Sequence, residues 1–101
     1  MSALTNDQYR STEEDFKIAF GICRSLLSSD AVKDVEHYLE HGELELAYES
    51  FGLSLKAEGV EVPKSAKELL LPMGPVLGVD KEGVLNANFW KEVLPILGGN
   101  E

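Results

Sequence analysis

Residues 28–59 read SSDAVKDVEHYLEHGELELAYESFGLSLKAEG, and the pattern of this stretch decides the predicted fold. The polar run 28–30 can cap a helix, and apolar side chains then recur every three or four positions as far as Gly42. A second helix of the same kind is predicted from about residue 43 to 58, and Gly59 ends it. Because the connection at Gly42 is short, the two helices are expected to be antiparallel neighbours.

Capping patterns predict further helices on both sides of this hairpin. Ser11 and Glu14 have the spacing of a capping box, so a helix is predicted from about residue 12 to 27. Ser65 and Glu68 have the same spacing and predict another helix, after an extended approach that ends in a proline.

The whole chain is therefore predicted to be all-α, a compact bundle of about five helices. Residues 1–10 are interpreted as a flexible N-terminal arm, and residues 11–101 as a single helical domain. A short extended or turn segment is expected near residues 79–85, before a last helix that carries Phe89 and Trp90.

Charge narrows the classes of partner. The 101 residues include 18 acidic and nine basic side chains, which gives a net charge of −9. Such a field repels nucleic acid and anionic membranes and attracts basic proteins. We therefore expect a protein partner, with no nucleic-acid and no membrane partner.

Cysteine usage and the N-terminal residues indicate a compartment. Cys23 is the sole cysteine, so the chain has no internal disulfide, as is typical of a reducing environment. Residues 1–10 are polar and lack the apolar core of a signal peptide. No apolar run approaches the roughly 20 residues of a membrane span. The expected location is the cytoplasm.

Negative charge is concentrated in residues 30–49. Seven carboxylates and a single lysine give this stretch a net charge of −6. A run of carboxylates is often only a solvated face, but two adjacent helices that carry it together favour a contact surface for a basic protein. The predicted contact residues are Asp34, His37, Glu40, His41, Glu45, Leu46, Glu49 and Leu53.

Leu46 and Leu53 lie off the apolar stripe of their helix, and two interpretations are open. They can be apolar anchors ringed by carboxylates, which is how many protein interfaces are built. Alternatively, their helix lies at the centre of the bundle and buries two sides, or the leucines are ordinary surface residues.

Residues 37–41 read HYLEH and match the H-x-x-E-H pattern of inverted zinc peptidases. His37 and His41 lie one turn apart, as two zinc ligands require, and Glu40 has the place of the general base. However, the helix ends at Gly42, no third ligand is evident, and so small a chain has little bulk for a substrate cleft. We predict no catalytic residues, no metal and no cofactor, so the chain is not expected to be an enzyme.

Residues 34–47 read DVEHYLEHGELELA, which resembles the V-x-x-Y-L-x-H-G-E-x-x-L-A core of small bacterial immunity proteins of the Maf type. These are related in role to the immunity proteins of contact-dependent growth inhibition. The resemblance covers about residues 31–78. It implies a cytoplasmic protein that binds and neutralises one cognate toxin, often a nuclease domain, which is basic where it grips nucleic acid.

Three hypotheses follow for the function. The first is an immunity protein that blocks a basic toxin through the acidic hairpin. The second is a general helical adaptor without a toxin partner. The third is a minimal zinc hydrolase that uses His37, Glu40 and His41.

Overall fold

The computed structural model describes residues 5–98, and over this range the protein is all-helical, without a β-strand. The predicted fold class is confirmed. The α-helices are α1 (Asn6–Cys23), α2 (Ser29–Glu40), α3 (Leu44–Ala57), α4 (Lys64–Leu70), α5 (Met73–Leu77) and α6 (Phe89–Val93). Two 3-10 turns, Arg24–Leu26 and Leu94–Leu97, extend α1 and α6.

Helix α1 begins earlier than predicted. Its capping box is Thr5 with Gln8: the Thr5 hydroxyl accepts from the Gln8 amide at 3.1 Å, and the Gln8 side chain accepts from the Thr5 amide at 3.0 Å. The predicted box of Ser11 with Glu14, and a flexible arm over residues 6–10, are therefore wrong. Residues 1–4 lie outside the described part of the chain.

A tertiary contact of Tyr9 holds the first turn of α1 against the rest of the protein. Tyr9 lies one heptad before the buried Phe16, so it continues the apolar stripe of α1 by two turns. Its hydroxyl donates to the carbonyl of Gly42 at 2.9 Å. The N-terminal turns of α1 thus pack against the connection between α2 and α3.

Helices α2 and α3 form the predicted antiparallel hairpin and pack along one another. The Ser28 hydroxyl caps α2 by accepting from the amide of Ala31 at 3.2 Å. Gly42 and Gly59, which follow α2 and α3, have φ of 69° and 64°, a conformation that glycine adopts without strain. The boundaries predicted for this hairpin are confirmed.

The core is built around aromatic rings of α1 and α3. Phe51 meets Phe16 and Phe20 edge to face, with centroids 5.4 and 5.7 Å apart. Tyr48 is also buried, and its hydroxyl donates to the Leu70 carbonyl of α4 at 2.8 Å. Burial raises the pKa of the Tyr48 phenol above its ordinary range, so it remains a neutral donor.

Helix α3 is the central helix of the bundle. It contacts α2 on one side and α1 and α6 on others, so nearly its whole length is covered. Gly52 lets α6 approach closely, because a Cβ there would lie 2.9 Å from the Phe89 ring and 3.1 Å from Val93.

The second half of the described chain packs around this centre. Helix α4 packs on α1, after the extended approach predicted before Pro63. Pro63 itself occupies the cap position of α4 and no side chain caps it, so the predicted box of Ser65 with Glu68 is wrong. Residues 78–88 form turns and irregular backbone, as expected around 79–85.

A pair of glycine substitutions tests the central position of α3. Gly52→Ala should lower the free energy of unfolding by about 1–3 kcal/mol, because the new methyl group overpacks the contact with Phe89. Gly21→Ala is the matched control: Gly21 lies within α1 with no atom near its Cβ position, so the change should stabilise by roughly 0.5–1 kcal/mol through helix propensity. Urea denaturation followed by circular dichroism measures both. Equal stabilisation by the two would contradict the packing of α6 on α3.

The far end of the hairpin is joined by a carboxylate whose pKa is shifted. Glu58 accepts from the Ser28 hydroxyl at 2.7 Å and from the Ser28 amide at 2.8 Å, and these bonds lower the pKa of the Glu58 carboxyl. A lowered folded-state pKa contributes stability above the ordinary glutamate value, and that stability is lost as pH falls through the folded-state pKa.

Glu58→Gln should therefore reduce stability at about pH 6, and the difference from the wild type should shrink toward about pH 3. The control is Glu61→Gln, which removes an exposed carboxylate three residues further on. Thermal melts across this pH range make the comparison. The same pH dependence in both variants would show that the contact with Ser28 does not stabilise the fold.

Candidate functional site

The α2–α3 hairpin presents most of its carboxylates to solvent. Of the seven acidic residues between positions 30 and 49, five are exposed: Asp30, Asp34, Glu40, Glu43 and Glu45. We call these five side chains, which lie on neighbouring surfaces of the hairpin, the acidic face. Glu36 is half-buried and pairs with Arg24, and Glu49 is fully buried. The acidic face thus carries most of the charge that was predicted for the contact surface.

The predicted contact residues do not form one continuous patch. Asp34, His37 and His41 follow one another along the exposed side of α2. Glu40 instead lines a groove between α1 and α2, together with Lys17. Glu45 and Leu46 lie on another side, at the first turn of α3. The structure therefore divides these six predicted residues among three neighbouring surfaces, whereas Glu49 is buried and Leu53 packs against the core.

The two histidines lie together but with few other groups. The rings of His37 and His41 have centroids 4.4 Å apart, and His41 Nδ1 lies 2.8 Å from the His37 carbonyl oxygen. Both side chains are exposed. Within residues 5–98 no three histidine, cysteine or acidic side chains gather as metal ligands do.

The two off-stripe leucines differ from the predicted exposed anchors. Leu53 is half-buried and packs against the core, as the interpretation of a central helix with two buried sides requires. Leu46 is also half-buried, but it lines an open groove on the protein surface. Only Leu46 therefore remains available as an apolar contact.

Glu49 was predicted to face outward, and this prediction is wrong. Its side chain is 0% exposed and accepts from the backbone amide of Val84 at 2.7 Å and from that of Leu85 at 3.1 Å. A buried carboxylate is tolerated when hydrogen bonds replace its water, and here the irregular segment 83–88 supplies them. Gly83 allows the close approach, because a Cβ there would lie 2.3 Å from Glu49 Oε1.

A groove of about 400 Å³ opens where the α2–α3 connection meets α5 and the segment after it. We call it the hairpin groove. Its apolar lining is formed by Leu46, Leu77, Val79 and Val84. Its acidic lining is formed by Glu43, Glu45 and Glu82. Three of these seven residues, Glu43, Glu45 and Leu46, come from the predicted acidic hairpin, and the other four come from later parts of the sequence.

Sequence reasoning missed the residues outside the hairpin that complete this surface. Val84 and Leu85 are exposed large apolar side chains, at 75% and 44%, on the segment that Glu49 holds. Tyr9 lies behind the hairpin connection, where burial raises the pKa of its phenol. One sequence signal could have found them: two large apolar residues, Val84 and Leu85, follow Gly83 in a turn-like segment. A surface loop is normally polar, so an adjacent apolar pair there indicates a contact.

The cysteine Cys23 is a core residue. Cys23 is fully buried, and burial raises the pKa of its thiol, which disfavours the reactive thiolate.

None of the helices within residues 5–98 combines the length and apolar character that crossing a membrane requires.

Comparison with protein-family models, with curated proteins and with solved structures returns no match to this chain.

Glu49→Gln tests whether this carboxylate holds the segment. An amide side chain keeps one acceptor oxygen but turns an N–H toward the second backbone donor, so one hydrogen bond is lost and a buried donor stays unpaired. We expect a loss of about 1–3 kcal/mol in stability and faster amide hydrogen exchange at Val84 and Leu85.

Glu45→Gln is the matched control, since it makes the same chemical change on the exposed side of the same helix. It should change stability by no more than about 0.5 kcal/mol and leave exchange at Val84 unaltered. Exchange rates that are equal in the two variants would show that Glu49 does not fix the segment.

Proposed function

We propose that this chain is a cytoplasmic immunity protein, which binds and neutralises a basic bacterial toxin domain through its acidic hairpin. The observation that supports the proposal is the acidic face: five exposed carboxylates on the α2–α3 hairpin, in a chain of net charge −9. The resemblance of residues 34–47 to Maf-type immunity proteins supports a role in toxin neutralisation.

The rigid hairpin suits inhibition without chemistry. Its ends are fixed by hydrogen bonds: at one end the Ser28 hydroxyl donates to the Glu58 carboxylate, and at the other the Tyr9 hydroxyl donates to the Gly42 carbonyl. A preformed surface loses little conformational entropy on binding, so electrostatic attraction can be converted into affinity and a fast association rate. A nuclease toxin carries a complementary basic surface where it grips nucleic acid.

The general adaptor stays as the second candidate, since an acidic helical surface also suits a basic partner that is not a toxin. Neutralisation of toxicity distinguishes the two. The zinc-hydrolase hypothesis has little support, because the exposed pair His37 and His41 lacks a third ligand among the described residues.

Charge reversal tests the proposed function. The wild-type chain, immobilised and exposed to lysate of its source cells, should capture a basic toxin, and co-expression with that toxin should restore growth. The double variant Asp34→Lys with Glu45→Lys should associate with the captured toxin at least about tenfold more slowly at low salt, because it removes electrostatic steering.

The matched control reverses two exposed carboxylates away from the hairpin, Glu14→Lys with Glu61→Lys. Both double variants change the net charge equally, so only the position differs. Surface-plasmon kinetics at two salt concentrations compares them, with thermal melts to verify folding. Equal association rates for the two, or capture of no toxin, would contradict the proposal.

A further inference from the structure

The hairpin groove differs from the acidic face because apolar side chains form part of its lining. Leu46 of α3, Leu77 of α5 and Val84 of the following segment line it together. Val84 is 75% exposed, the largest exposed fraction among the exposed large apolar side chains of residues 5–98. Covering these side chains with an apolar group of a partner is favourable, because it removes apolar surface from water.

The charges that line the groove all have the same sign. Glu43 and Glu45 contribute two carboxylates from the hairpin, and Glu82 contributes a third from the segment after α5. Among residues 5–98, no lysine or arginine lines the groove. An occupant that buries an apolar side chain here therefore meets three carboxylates around it, which favours flanking arginine or lysine side chains.

The wall that carries Val84 is fixed before any partner binds. The Glu49 carboxylate accepts from the backbone amides of Val84 and Leu85, so the segment has a defined position although it has no regular secondary structure. The Asn86 side chain donates to Glu92 of α6 at 3.3 Å and secures the next part of the segment. The buried Glu49 carboxylate thus fixes the backbone of Val84, whose apolar side chain is exposed beside the groove.

We propose that the hairpin groove is the seat of a basic segment of a partner protein, which inserts one apolar side chain beside Leu46 and Val84 and pairs its flanking cations with Glu43, Glu45 and Glu82. This inference rests on the proposed function for the identity of the partner. It adds the place of contact and the chemistry of the segment that is recognised: a large apolar residue between arginine or lysine residues.

Two synthetic peptides with blocked ends test the seat without the natural partner. The probe is Lys-Arg-Phe-Arg-Lys, and the control peptide of equal charge is Lys-Arg-Gly-Arg-Lys. Each is titrated into the isotope-labelled full chain, and amide chemical shifts are followed by NMR. The phenylalanine peptide should bind about tenfold more tightly, because it alone buries a large apolar side chain. Its largest shifts should fall at Leu46, Leu77 and Val84.

Val84→Ala should abolish most of the preference for the phenylalanine peptide. Ile18→Ala is the matched control, since Ile18 is also an exposed apolar residue, at 56%, but lies on α1 away from the groove. It should leave the preference intact. Both side chains are exposed, so neither change should unfold the chain.

Failure of the groove proposal and failure of the proposed immunity function give different results. Equal affinity for the two peptides, with shifts confined to the outer side of α2 near Asp34, would overturn the groove as the seat and leave the acidic face as the contact surface. A preference for phenylalanine that depends on Val84, in a chain that captures no toxin, would support the groove and overturn the immunity function.

Discussion

The burial of α3 on several sides is the constraint on which the rest of the structure depends. This helix contacts α2, α1 and α6, and its side chains Phe51 and Tyr48 join the aromatic core. Close packing of this kind requires small residues where helices approach, hence Gly52 beneath Phe89. It also requires that any polar group on the covered sides be satisfied internally.

Glu49 satisfies this requirement and also fixes a segment beside the candidate site. Its position on α3 is covered by the segment after α5, so the carboxylate has no access to water and takes its hydrogen bonds from the amides of Val84 and Leu85. The irregular segment in turn gains a fixed conformation from a single side chain. The fold and the surface beside the hairpin are thereby coupled through one buried group.

In the proposed complex, the acidic hairpin and the groove supply two different physical contributions to binding. Exposed carboxylates such as Asp34 would steer an approaching basic partner, although each would contribute little affinity. The apolar surface at Leu46 and Val84 would contribute through desolvation, which mainly slows dissociation. Separating the two contributions on adjacent surfaces would let association and dissociation rates be altered by different residues.

Local sequence patterns were enough to predict the class of fold and the hairpin. Ser28 as a cap, Gly42 and Gly59 as helix ends, and the apolar stripes that hold Phe16 and Phe51 depend on interactions within a few residues, so the order of residues determines them. The same patterns failed at the start of α1, because two capping boxes compete there and a distant contact of Tyr9 with Gly42 favours the first.

The candidate site was only partly predictable. The sequence by itself determined that residues 30–49 are strongly acidic and that Leu46 and Leu53 leave the main stripe. Helical periodicity gives the direction of a side chain around its own axis, but not which directions are covered by distant elements. Only the tertiary structure decided that Glu49 is buried, that Leu53 packs against the core, and that Val84 meets Leu46 in one groove, because segment 78–88 folds back over α3.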